Sequence, residues 1–270
     1  MSKRNSQEAK RVARERLRAE REKEAKKAKM RRQLGVAGAV VAALAVMGGI
    51  GFAVTKMLED EYWDAAAKKD LVAPANTSGK DGLTVLLGDK DAPKTLELYE
   101  DPRCPGCAGF EQNAGAELKK GMTEGKYNVE FYGANFLDNR IGGDGSKNAM
   151  SALGAALNVS PDAFMAFKAA MYSDEFHPDE GGDPFGDDDY LIKIGDSVPE
   201  LKGNKQFAKD VRDGTFDRWG LEQAKIFNER NIGSTPTLRY DGKPIIDEST
   251  QSIPSNPEAL KTAIDKAIKD

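Results

Sequence analysis

The sequence predicts an α/β domain with a block of helices inserted between its strands, preceded by a single membrane-spanning helix. Three observations lead there. Short strand-like patterns flank a long stretch of helical periodicity in the C-terminal part of the chain. The only two cysteines stand as CxxC, at Cys104 and Cys107, where the strand pattern of Leu96 and Leu98 turns helical. A run of 21 uncharged residues, 34–54, precedes all of this.

With 270 residues, 39% hydrophobic and 31% charged, the chain has room for one sizeable domain plus appendages. The net charge of −4 hides an asymmetry, because residues 1–33 hold 14 Lys+Arg against 5 Asp+Glu and the remainder is strongly acidic. Apolar residues are too sparse in this basic head to build a core, so it reads as a solvated or membrane-surface helix. The 34–54 run would extend about 30 Å as a helix, the thickness of a bilayer's hydrocarbon core. A cleaved signal peptide is the competing reading. The long basic region, the length of the apolar run and the lack of a small-x-small site before Lys56 favour an uncleaved anchor. Arg31 and Arg32 then stay cytoplasmic, and everything after Lys56 lies outside, in an oxidising compartment that suits one cysteine pair. Basic residues beside a span have a topological reason to be there, so no nucleic-acid partner is inferred.

Residues 55–82 read as a charged stalk and linker ending in Thr77-Ser78-Gly79-Lys80-Asp81-Gly82, with the folded domain from about 83 to 270. Strands are expected at 84–87, 94–99 and 127–132, the last from the alternation of Val129 and Phe131. The helix carrying the cysteines should run to about Met122. The inserted helices occupy about 145–230. Ser160 caps one with Pro161 at N1, followed by a stripe of Phe164, Phe167 and Met171. Others start near 187–189, near Asn204 and near Thr215. Strands 237–240 and 243–246 flank Asp241-Gly242, a two-residue hairpin turn. Asn256 caps a final helix, with Leu260, Ala263, Ile264, Ala267 and Ile268 as its buried stripe.

The chemistry concentrates in Glu100-Asp101-Pro102-Arg103-Cys104-Pro105-Gly106-Cys107. A helix N-terminus presents free N–H groups and a partial positive charge, which favours a thiolate on its first cysteine. Pro105 fits the first helical turn, where its missing N–H costs nothing. The pair therefore reads as a redox dithiol. Zinc would want four ligands, and the only histidine, His177, lies 70 positions beyond Cys107 in what reads as a surface loop. An inert staple is disfavoured because so small a ring closes little chain entropy. The acidic run Asp183, Asp187, Asp188 and Asp189 lacks a recognisable calcium-loop spacing and is explained by capping a helix that begins at Tyr190. No metal or cofactor is inferred.

The order strand, CxxC helix, strand, helical block, x-Pro loop, hairpin, helix resembles the thioredoxin fold with a helical insertion, as in the DsbA family of thiol:disulfide oxidoreductases. The residues carrying the resemblance are 99–107, with Asp101 three before the first cysteine, and Gly233-Ser234-Thr235-Pro236-Thr237 ahead of the hairpin. The basic head and single span are similar to those of membrane-anchored actinobacterial members. The resemblance implies that Cys104 is the exposed nucleophile and Cys107 the shielded resolving thiol. It implies further that Pro236 is a cis-proline packed on the pair, and that Thr235, with Pro105 and Gly106, meets a substrate's extended segment. Clients would be thiol-containing exported proteins, and a membrane redox partner would recycle the dithiol. Strongly oxidising members carry a histidine between the cysteines, whereas this chain has Pro105-Gly106, which leaves the direction of electron flow open. A reductase or isomerase, as in cytochrome maturation, and a non-catalytic binding module are the alternatives.

Overall fold

The computed structural model describes residues 57, 61–179 and 181–269. The basic head 1–33 and the apolar run 34–54 lie outside them, and among the described residues no helix is long and apolar enough to cross a membrane. The compact unit that carries the site runs from Glu59 to Asp270.

Its centre is a five-stranded sheet in the order β1-β3-β2-β4-β5, formed by β1 (Val85–Leu87), β2 (Thr95–Glu100), β3 (Asn128–Gly133), β4 (Thr237–Tyr240) and β5 (Lys243–Pro244). β2 and β3 are parallel, and the other pairs are antiparallel. Alternation sorts the side chains. Leu96, Leu98, Val129, Phe131 and Leu238 face the main core, while Tyr99 and Tyr132 stack on the opposite face with ring centroids 5.0 Å apart. At the hairpin, Asp241 and Gly242 both take positive φ, +49° and +70°, the conformation a two-residue turn between twisted strands requires. β5 is shorter than the expected 243–246. After Pro244, which lacks an N–H, the pairing continues only through Ile245 N–H to the Leu238 carbonyl.

Between β2 and β3 come α1 (Pro105–Phe110), a π-helical segment (Glu111–Gly115) and α2 (Ala116–Thr123), which together make the expected dithiol helix. Between β3 and β4 lie α3 (Phe136–Ile141), α4 (Gly145–Val159), α5 (Pro161–Met171), α6 (Asp188–Asp196), α7 (Lys205–Arg212) and α8 (Asp217–Glu229); α9 (Pro257–Ala267) closes the chain. α4 is buried on nearly every side, and its Ala149, Ala152, Ala155 and Ala156 let the surrounding helices approach closely. Phe164 meets Phe131 edge-to-face at 5.2 Å, joining the helical insertion to the sheet in one core. The caps follow the sequence: the Ser160 hydroxyl accepts from Ala163 N–H, and Asn204 and Asn256 cap α7 and α9.

Three local expectations are corrected. The stretch read as stalk and linker packs on the insertion. Trp63 and Ala66 are buried, the Tyr62 hydroxyl donates to Asp217 at 2.6 Å, and Asn76 donates to the Leu157 carbonyl at 2.8 Å. The surrounding charges mask this in sequence, because the partners of Tyr62 and Asn76 lie 155 and 81 residues away. α6 begins at Asp188 rather than Tyr190, and Asp187 is its cap. His177 is half-buried between the rings of Tyr172 and Phe185, at 5.8 and 6.3 Å, rather than on the surface.

Candidate functional site

β2 delivers the site. Beyond Glu100 the chain turns through Asp101-Pro102-Arg103, and Asp101 holds that turn. Its carboxylate accepts from Arg103 N–H at 3.0 Å, the Ser146 hydroxyl at 2.7 Å and Leu137 N–H at 3.2 Å, while its carbonyl accepts from Cys104 N–H at 2.9 Å. Burial pushes the Asp101 carboxyl up to about 6 against these donors. Arg103 is buried and turned away from the sulfurs. It donates to Asp138 at 2.9 Å and to the carbonyls of Gly142 and Gly182, with Nε 3.2 Å from Asp183. Asp183 therefore serves this anchor, and it also accepts from the N–H groups of Asp144 and Gly145.

Cys104 is the N-cap of α1, with Pro105 in the first turn, and its carbonyl accepts from Cys107 and Ala108 N–H. Both cysteines are free thiols. The Thr235–Pro236 peptide is cis, and the Cys104 sulfur lies 3.5 Å from the Thr235 carbonyl oxygen. Gly106 allows this approach: a β-carbon there would sit 3.3 Å from Pro236 Cδ and 3.6 Å from the Cys104 sulfur. Cys104, Cys107, Pro105 and Gly106 thus share one helix start, and Thr235 and Pro236 meet it there. One expectation is corrected. Cys104 is not openly exposed, with only 9% of its surface accessible, because the Thr235–Pro236 loop covers it.

The two thiols are driven apart in acidity. Cys104 is lowered from 9.0 to about 6, first by a hydrogen bond from the Cys107 thiol, then by Thr235 and by the N–H groups of Cys107 and Gly106, against the opposing effect of burial. Among the described residues the buried Thr235 hydroxyl has no hydrogen-bond partner, so a Cys104 thiolate would supply its acceptor. Cys107 is wholly buried, and that burial, together with Cys104 and the nearby Glu100 charge, raises it well above the ordinary range. Alkylation of the reduced protein is therefore expected to titrate with a midpoint near pH 6, with all early label on Cys104. About nine-tenths of Cys104 is then thiolate at pH 7, against about one-hundredth for a thiol at its ordinary value. A midpoint above pH 8, or early label on Cys107, would overturn the assignment.

Beneath Cys107 lies an ion cluster that sequence reasoning missed. Lys168 donates to Glu100 at 2.9 Å and to Glu111 at 2.6 Å, and the Glu100 side chain is wholly inaccessible. Two carboxylates share one ammonium. Burial raises Glu100 to about 7, and the Glu111 charge adds to this against the pull of Lys168. Tyr172 seals the pocket, packing in one cluster with both cysteines and donating its hydroxyl to the Asp101 carbonyl at 3.1 Å. The available signals were Glu100 at the end of an apolar strand and Lys168 on the apolar stripe of Phe164 and Met171.

Comparison with known proteins agrees with this geometry. A family model described as Thioredoxin matches residues 80–266. The serine/threonine-protein kinase PknE of Mycobacterium tuberculosis is 26% identical over 168 residues, 60% of this chain; the chain spans only 29% of that protein's length. Disulfide bond formation protein D of Bacillus subtilis is 24% identical over 184 residues, 68% of this chain and 77% of that one. The crystal structure of oxidised M. tuberculosis DsbA superposes with a TM-score of 0.56 at 22% identity, covering 69% of this chain and 93% of the other. The fold, the CxxC at the start of α1 and the cis-proline loop facing it lead to one assignment: the chain belongs to the thioredoxin family, with a helical insertion between β3 and β4.

Proposed function

We propose that this chain is a DsbA-type thiol:disulfide oxidoreductase, held to the membrane by its 34–54 segment with the catalytic domain outside, that passes disulfides to exported proteins. The observation that carries the reading is the asymmetric dithiol. Cys104 is acidified at a helix start against Thr235 and Pro236, and Cys107 is buried above Glu100.

In the oxidised enzyme a client thiolate attacks the Cys104 sulfur, the Cys104–Cys107 bond breaks, and Cys107 departs as a thiolate. Its basicity in this buried setting draws a proton, and Glu100, half-protonated near pH 7, is the nearby donor. A second client thiolate then attacks the client sulfur of the mixed disulfide and expels the Cys104 thiolate. Two electrons have moved from client to enzyme, and a membrane redox partner would take them up to restore the disulfide. The lowered pKa of Cys104 makes it a good leaving group in this last step and stabilises the reduced enzyme, which supports oxidation of clients over their reduction.

The test is oxidative refolding of a reduced, disulfide-containing client by the stoichiometrically oxidised protein, with the reduction potential measured against glutathione. Stoichiometric disulfide transfer and a potential well above about −270 mV, the thioredoxin value, are expected. A potential at or below that value would favour the reductase alternative. Protease added to intact spheroplasts should remove the catalytic domain and spare the basic head; a protected domain would overturn the topology.

A further inference from the structure

The groove beside Cys104 has a volume of about 780 Å³, and its walls come from α1, the cis-proline loop, β4 and residues 244–255. Phe110, Ile232, Ile245 and Ile253 make much of it apolar. Among the described residues that line it, Arg239 carries the only charge. Arg239 makes no ion pair among the described residues, and its Nε is buried without a hydrogen-bond partner. Glu97 stands directly across from it on β2 and could neutralise it, but that carboxylate is paired with Arg230. The guanidinium carbon lies 5.9 Å from the Tyr99 ring centroid, at the limit of a cation–π contact.

We propose that Arg239 is a specificity-determining residue that selects client segments bearing a carboxylate side chain a few positions from the reacting cysteine; this rests on the thiol-exchange reading above. Both edges of β4 are occupied, by β2 and β5, so beside Cys104 an extended client segment would add along the loop 233–236 and not along β4 itself. Arg239 lies three residues past Pro236, about 10 Å at the rise of a strand. A client carboxylate about three residues from its cysteine therefore matches that reach. Guanidinium suits the task because its planar fork donates bidentately to a carboxylate, and a partly desolvated pair is screened less than one on the open surface. The selection is local. The domain as a whole is acidic, so it sets which register of a client is held rather than drawing acidic proteins in general.

The experiment uses the oxidised full-length protein and nine-residue peptides with one cysteine, carrying Glu, Gln or Lys at each position two to four residues to either side of it. Second-order rates of disulfide opening are measured at low and high salt, with dithiothreitol as a small uncharged reductant. At one position the Glu peptide is expected to react about five- to tenfold faster than the Lys peptide, with the gap closing at high salt. Arg239→Gln should level the two, Arg239→Glu should invert them, and neither change should alter the rate with dithiothreitol. Equal rates for Glu and Lys at every position, or a preference that survives Arg239→Gln, would overturn the selection and leave thiol exchange intact. If dithiothreitol opens the disulfide but no peptide does, the client reading itself falls and the selection with it.

Discussion

Cys104→Ser will abolish disulfide exchange, whereas Cys107→Ser will leave a protein that still attacks and then stays attached to what it attacks. The asymmetry follows from the surroundings of each sulfur. Cys104 meets the N–H groups of α1 and the Thr235 edge and titrates near 6, so it supplies nearly all the thiolate at neutral pH. Cys107 is wholly covered and held as a thiol. Replacing Cys107 by serine deletes the thiol that resolves the mixed disulfide but keeps a hydroxyl in place of the thiol that donates to Cys104. Label on Cys107→Ser should therefore still titrate well below the ordinary thiol value while covalent client adducts accumulate. Non-reducing electrophoresis after incubation with a reduced client reads the adducts, and loss of adducts in Cys107→Ser would sink the assignment of nucleophile.

Lys168→Met is expected to cost about 3–5 kcal/mol of stability at pH 8, the range for removing one partner of a buried ion pair. Both Glu100 and Glu111 lose their counter-charge, and the Glu100 side chain has no access to water. The sign with pH is definite. Glu100 is raised from 4.5 to about 7, so its contribution is fully present below 4.5 and is lost as pH rises through 7. Without Lys168 its pKa climbs further, because the remaining influences, burial, Glu111 and Cys104, all raise it. The penalty should be smallest near pH 4.5, where Glu100 holds a proton, and largest above 7. Urea denaturation at pH 5 and pH 8 measures the difference, and Glu100→Gln added to Lys168→Met should recover part of the loss at pH 8. A penalty independent of pH would show that Lys168 matters by packing alone.

Much of this protein is written in short-range pattern. The alternation of Leu96 and Leu98, the caps Ser160, Asn204 and Asn256, and the Asp241-Gly242 turn each act within a few residues, so each element stands close to where its own sequence puts it. The same holds for the half of the site made by α1, where Cys104, Pro105, Gly106 and Cys107 are neighbours on one turn. Its other half, Thr235 and Pro236, came from element order through a family resemblance, because nothing local to 235–236 points to residue 104. The π-helical break at Glu111–Gly115 and the early end of β5 lay beyond pattern as well.

What sequence by itself determined was most of the elements and the reactive pair, since these depend on interactions that a residue makes with its near neighbours or with bulk solvent. Tertiary structure alone decided which charges are buried. Glu100 and Lys168 meet across 68 positions, Tyr62 and Asp217 across 155, and Cys104 and Thr235 across 131. A carboxylate's acidity depends on how much water the fold leaves around it and on which distant charge it brings near. Glu100 therefore reads as an ordinary strand-end glutamate until the insertion packs Lys168 against it and excludes water from the floor of the dithiol.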